Sequence, residues 1–127
     1  MYDVTIIGCG VIGSSLAYTL SQYDLHILVL ERENDVAMGT TKANSGIVHA
    51  GYDPEPDTLL AKLNVRGSAM MEDLCRDLSV KYKRIGSFVA AFSEEQKKHL
   101  EKLLDNGIKS GIPGIRIVSG EDRKSVV

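Results

Sequence analysis

One glycine run constrains this chain more than any other feature. Val4-Thr5-Ile6-Ile7 is a short β-branched segment that ends in Gly8-Cys9-Gly10-Val11-Ile12-Gly13, after which Leu16, Ala17 and Leu20 recur at helical spacing. A β-branched run closing on glycine suits a strand buried on both faces, as in a parallel sheet. The spacing that follows predicts a helix over residues 11–23, with Asp24 in the turn that ends it, and His26–Glu31 ("HILVLE") supplies a second buried strand. Strand, helix and strand within about 30 residues make a βαβ unit.

The GxGxxG spacing alone is a weak signal, but here it follows a strand, opens a helix and is trailed by Glu31, 18 residues past Gly13. That context is the fingerprint of a dinucleotide-binding turn. Gly8 permits the tight turn, Gly10 lets backbone N–H groups of the Val11-Ile12 helix start approach a pyrophosphate, and Gly13 lets helix and strand pack closely. The helix N-terminus adds about half a positive charge facing the phosphates. The competing reading is a tight strand-to-helix turn with no ligand. Glu31 can accept hydrogen bonds from ribose hydroxyls, and its charge repels a 2′-phosphate. Arg32 beside it can bind such a phosphate or pack over adenine. The balance favours the unphosphorylated ribose of NAD or FAD, and the fingerprint does not choose between them.

Composition bounds the rest. The 127 residues are one domain or part of one. A net charge of −2 lacks the basic stripe that nucleic acid requires. Cys9 and Cys75 stand far apart with no metal-ligand spacing, which fits a reducing compartment and no metal site. No apolar run reaches the roughly 18 residues of a transmembrane segment. "YDVTIIG" follows Met1 with no basic region or cleavage site, so a cytoplasmic protein is expected.

Further along, "YDPEPDT" reads as a turn and helix start, with Asp57 or Thr58 as the cap. The helix is expected to reach about Leu78, with Leu59, Leu63, Met70, Leu74 and Leu78 on one apolar face and Gly67 on that same face marking a close contact. "KRIGSFVAAF" predicts a strand over residues 83–92, and Ser93 with Gln96 forms a capping box. The helix it opens carries Leu100, Leu103 and Leu104 inward and is expected to stop at Asn106-Gly107. "GIPGIRIVS" suggests a last short strand, while His26 and His99 read as structural.

The stretch "GTTKANSGIVHAGYD", residues 39–53, is a loop by composition. Ligands of doubly wound sheets lie beyond the carboxyl ends of the strands, so the chain leaving Glu31 must pass the bound dinucleotide. Thr40, Thr41, Asn44 and Ser45 offer hydroxyl and amide groups there, and Lys42 can neutralise phosphate charge or stay solvated. Gly46, Ala50 and Gly51 leave room for a flat ring against main chain.

"YDVTIIGCGVIGSSLAYTL", Glu31 and "GTTKANSGIVHAGYD" together resemble the N-terminal part of FAD-dependent oxidoreductases of the D-amino-acid-oxidase type. Within that group the likeness is nearest to L-2-hydroxyglutarate oxidase and the anaerobic, flavin-dependent glycerol-3-phosphate dehydrogenases. It runs on through "TLLAKLNVRGSAMMEDLC" and "KRIGSFVAAFSEEQ" to about residue 120. The resemblance implies an α/β fold: an incomplete Rossmann-like dinucleotide-binding βαβ of an FAD/NAD(P)-binding domain. It implies FAD as cofactor and oxidation of the CH–OH group of glycerol 3-phosphate or a 2-hydroxy acid. Gly8, Gly10 and Gly13 would hold the pyrophosphate, Glu31 the adenosine ribose, and Thr40, Thr41, Asn44, Ser45 and Gly46 the diphosphate and flavin side. His49 would lie near the isoalloxazine ring, where an imidazole can orient a small-molecule substrate or take a proton.

Members of that family are longer than this chain. Residues 1–121 are therefore expected to be the N-terminal part of the oxidoreductase domain, with the βαβ unit over 1–51 and helices and a strand over 52–121. Residues 122–127 resemble translated adapter sequence and are expected to be a non-native tail. An isolated piece of this kind is expected to retain FAD poorly and to turn nothing over. Two other readings remain at this point: an NAD-dependent dehydrogenase, and a non-catalytic dinucleotide-binding module. The electron acceptor is unread.

Overall fold

The computed structural model describes residues 1–120, so the tail expected at Asp122–Val127 lies outside the described residues. The chain forms two compact units that divide between Ile47 and Val48.

The first unit is the βαβ motif. Strand β1 (Val4–Ile7) pairs in parallel with β2 (Ile27–Leu30), Val4 opposite Ile27 and Ile7 opposite Leu30, and helix α1 (Val11–Leu20) connects them. Asp3 locks the start of the ladder: its Oδ2 accepts from the His26 amide at 2.8 Å and lies 3.3 Å from His26 Nδ1, which gives that histidine its structural role. At the far end, the Gly8 amide donates to the Leu30 carbonyl at 2.7 Å and carries the pairing one residue past β1. The helix stops three residues short of the expected 23, where the Ser21 amide closes on the Ala17 carbonyl at 2.8 Å and its hydroxyl on that of Tyr18.

Burial on both faces of β1 does not hold. Ile6 is 6% exposed while its neighbour Ile7, on the opposite face, is 88% exposed. With one helix and two strands, only one face of the sheet has a cover within the unit.

The second unit is built on two capped helices. Thr58, not Asp57, caps α2 (Leu59–Asp77): its Oγ1 accepts from the Ala61 amide at 3.2 Å and donates to the Glu55 carbonyl at 2.7 Å. Ser93 Oγ caps α3 (Glu94–Lys109) by accepting from the Gln96 amide at 3.2 Å. The Gln96 side chain reaches back to the Phe92 amide, one residue before the cap, at 2.7 Å. His99 sits exposed on α3, as its structural reading requires.

Four expectations for this unit are corrected. The α2 residues buried are Ala61 and Cys75; of the expected face Leu74 is half-buried, whereas Leu59, Leu63, Met70 and Leu78 are exposed, so most of the leucine face finds no cover among the described residues. A Cβ on Gly67 would meet open space, so no close contact explains that glycine. Helix α3 does not stop at Asn106-Gly107. It runs on to Lys109 and closes in a Schellman arrangement, with Gly111 at φ +74° donating to the Ile108 carbonyl at 3.0 Å and Ile112 to that of Gly107 at 2.9 Å. Gly107 instead lies in close contact with Ile115, whose Cδ1 would have to move to admit a Cβ there. Residues 83–92 and 111–119 form no strand, since a strand exists only by pairing and neither segment has a ladder partner among the described residues.

Leu103 is buried and Leu100 and Leu104 are half-buried, as their spacing predicted. They line an apolar groove with Tyr52, Phe88 and Ile115.

Candidate functional site

The first unit assembles its polar groups around the glycine turn. A Cβ on Gly13 would run into the Gly8 carbonyl oxygen and come within 3.3 Å of Ile6 Cγ2. Helix and strand can therefore pack at this distance only with glycine there, as the fingerprint requires. Gly8 lies at φ +98°, a conformation that favours glycine, and its turn aims the chain into α1.

Two segments converge on the three residues between Gly8 and Ile12. From the end of β2, Glu31 Oε2 accepts from the Cys9 amide at 2.6 Å, while Oε1 accepts from the amides of Arg32 at 2.8 Å and Glu33 at 3.0 Å. These hydrogen bonds, that from Glu33 foremost and then that from Cys9, hold the Glu31 carboxyl below its ordinary value. From the loop beyond, Thr41 Oγ1 accepts from the Val11 amide at 2.9 Å, and the Ala37 amide donates to the Cys9 carbonyl at 3.0 Å. Asn44 ties into the same loop, its Nδ2 donating to the Thr41 carbonyl and its Oδ1 accepting from the Gly46 amide at 2.7 Å.

The geometry fits an anion. Gly10 provides no side-chain cap for α1, so the first amides of the helix need partners from outside it. Thr41 takes the Val11 amide; those of Ile12 and Gly13 remain as the donors of an exposed helix start. A diphosphate satisfies such donors and gains from the helix dipole. A Cβ on Gly10 would stand 3.0 Å from the Thr41 hydroxyl, so the second glycine also admits the loop.

The remaining expected residues fall out as follows. Arg32 is paired with Glu33 at the surface through Nε and Nη2, both at 3.0 Å. Thr40, Lys42 and Ser45 are exposed, Thr40 and Lys42 entering the loop's turns through backbone bonds. His49 belongs to the second unit and is exposed. Gly51, expected to leave room for a flat ring, is buried instead against α2, where a Cβ would come within 2.8 Å of Val65 Cγ2. Reading the sequence missed Cys9 and Ala37, which act through main-chain groups. Ala37 adopts φ 60° without a glycine or asparagine to signal it.

Comparison with known proteins gives the family of the chain. A model of the family described as "DAO: FAD dependent oxidoreductase" matches residues 3–126. The chain is 53% identical over 121 residues, 95% of its length, to a glycerol 3-phosphate dehydrogenase of Caloramator mitchellensis, and covers 25% of that protein. It is 37% identical over 125 residues to the human mitochondrial L-2-hydroxyglutarate dehydrogenase, covering 97% of this chain and 27% of the relative. Among solved structures it matches a dithionite-reduced L-α-glycerophosphate oxidase of Mycoplasma pneumoniae with FAD bound, at a TM-score of 0.75 and 34% identity, over 95% of this chain and 30% of the other. The chain thus spans about a quarter to a third of the length of these relatives. The family decides between the two cofactors that the fingerprint left open: the chain belongs to the FAD-dependent oxidoreductases of the DAO family.

Proposed function

We propose that Gly8–Gly13, Glu31 and the loop from Thr40 to Gly46 form the half of an FAD site that takes the adenosine and diphosphate. The observation that supports this most is the convergence of Glu31 and Thr41 on amides two residues apart, Cys9 and Val11. Within this site the Ile12 and Gly13 amides bind phosphate oxygens, Glu31 orients the ribose, and the hydroxyls of Thr40, Thr41 and Ser45 donate along the diphosphate. Lys42 supplies opposing charge from solvent.

The reaction we assign to the whole protein is oxidation of a CH–OH group in glycerol 3-phosphate or a 2-hydroxy acid such as L-2-hydroxyglutarate, in keeping with the names of the relatives. FAD supplies hydride acceptance in such chemistry. His49, exposed in a loop rich in small residues, is the candidate to orient substrate or hold its hydroxyl proton. Cys9 and Cys75 are both free thiols, which accords with a reducing compartment such as the cytoplasm. No described helix is long and apolar enough to cross a membrane.

Residues 1–121 constitute, on this reading, the N-terminal part of the oxidoreductase domain. The chain alone then holds FAD weakly and turns nothing over. Flavin fluorescence quenching during titration of FAD with the 127-residue chain tests the site. Weak saturable quenching, competed by ADP and lost in Gly13→Ala, is the expected result. Quenching that ADP does not compete would contradict it.

A further inference from the structure

Glu31 does more in this fold than face a ribose. A carboxylate offers about four acceptor positions. Main-chain amides take three of them here: Cys9 on Oε2, and Arg32 and Glu33 on Oε1. One position, on Oε2, is left for a sugar hydroxyl, so two hydroxyls could be accepted only by displacing an amide. The 2.6 Å bond to Cys9 is also the short, charge-assisted kind. It joins positions 22 apart in sequence and ties the end of β2 to the glycine turn. Because Ala37 holds the Cys9 carbonyl from the other side, the Cys9 residue is fixed at both its amide and its carbonyl. The peptide planes that follow, which carry the amides at the start of α1, inherit that orientation.

We propose that Glu31 is a positioning residue for the phosphate turn: by clamping the Cys9 amide it sets the aim of the amides at the start of α1, and most of its contribution to nucleotide binding is delivered through the diphosphate rather than the ribose. This rests on the reading of residues 8–13 as a diphosphate site. A residue acting only on the sugar discriminates between ligands with and without ribose hydroxyls. A clamp does not.

The test compares wild-type chain, Glu31→Ala and Glu31→Gln with two probes, ADP and 2′,3′-dideoxyadenosine 5′-diphosphate. Amide exchange at Cys9 is followed by NMR in the absence of ligand. The clamp predicts that Glu31→Ala weakens both probes by a similar factor, about tenfold or more. It also predicts faster Cys9 exchange in Glu31→Ala. Glu31→Gln, which keeps one acceptor without the charge, should fall between the two, and it carries the comparison alone where Glu31→Ala does not fold. A loss confined to ADP, or Cys9 exchange unchanged in both variants, would overturn the proposal. Should wild type bind neither probe, the diphosphate reading fails by itself, while the exchange rates still decide whether Glu31 holds the turn.

Discussion

The glycine turn and the segment from Lys83 to Phe92 have equally suggestive sequences and opposite outcomes. In the turn, Glu31, Ala37 and Thr41 supply partners for Cys9 and Val11 from within 40 residues. The other segment has the β-branched and aromatic composition of a strand, yet no ladder forms, and Ile85, Phe88 and Phe92 are 84%, 70% and 90% exposed. The difference is one of range. A turn, a cap or a carboxylate–amide bond is completed by groups a few residues or one crossover away, whereas a strand is completed only by another strand. Relatives three to four times as long carry more chain with which to do so.

The strongest way to break this contrast is to crowd the turn. Gly13→Ala places a methyl group against the Gly8 carbonyl, where backbone cannot yield cheaply. It should destabilise the first unit by about 3 kcal/mol and weaken FAD about 100-fold, read by thermal unfolding and fluorescence titration. In the second unit the corresponding close approach is Gly107 against Ile115. Gly107→Val should cost about 2 kcal/mol in urea unfolding, less than at Gly13 because a side chain can move where a carbonyl cannot. Phe92→Ser sharpens the comparison from the opposite side. Despite its size, the ring is almost wholly exposed, so its loss should change the midpoint of unfolding by no more than about 0.5 kcal/mol.

The smallest effect concerns pH. The Glu31 carboxyl is held below its ordinary value by the amides of Glu33 and Cys9. A depressed folded-state value means that the Cys9 bond contributes fully above the ordinary glutamate range. It is lost only as pH falls through the lower, folded-state value. The Cys9 amide resonance should therefore hold its position as pH falls through the ordinary glutamate range and shift only below it. A shift within or above that ordinary range would contradict the clamp.

This contrast also explains what was legible beforehand. The βαβ order, Glu31 at the end of β2 and the caps at Thr58 and Ser93 all follow from patterns within a few turns of chain. The stop of α3 was legible too, but in Gly111 and Pro113 and not in the Asn106-Gly107 pair, which shares its composition with a C-terminal cap. Gly107 serves Ile115, a contact that no local rule announces. Most of the α2 leucine face stays exposed because amphipathic spacing shows which face wants cover, not whether cover is supplied. Around the turn, the side chains of Glu31 and Thr41 stand out by their chemistry, whereas Cys9 and Ala37 contribute only main-chain groups, which no side chain announces.

One experiment bears most directly on the central claim, that a nucleotide diphosphate is taken by the turn on which Glu31 and Thr41 converge. Amide resonances of the chain are followed by NMR while ADP is added. The expected perturbations centre on Gly10–Gly13 and reach Glu31 and Thr41, leaving α2 and α3 unmoved. Saturable shifts confined to residues 48–120, or none at any accessible concentration, would contradict it.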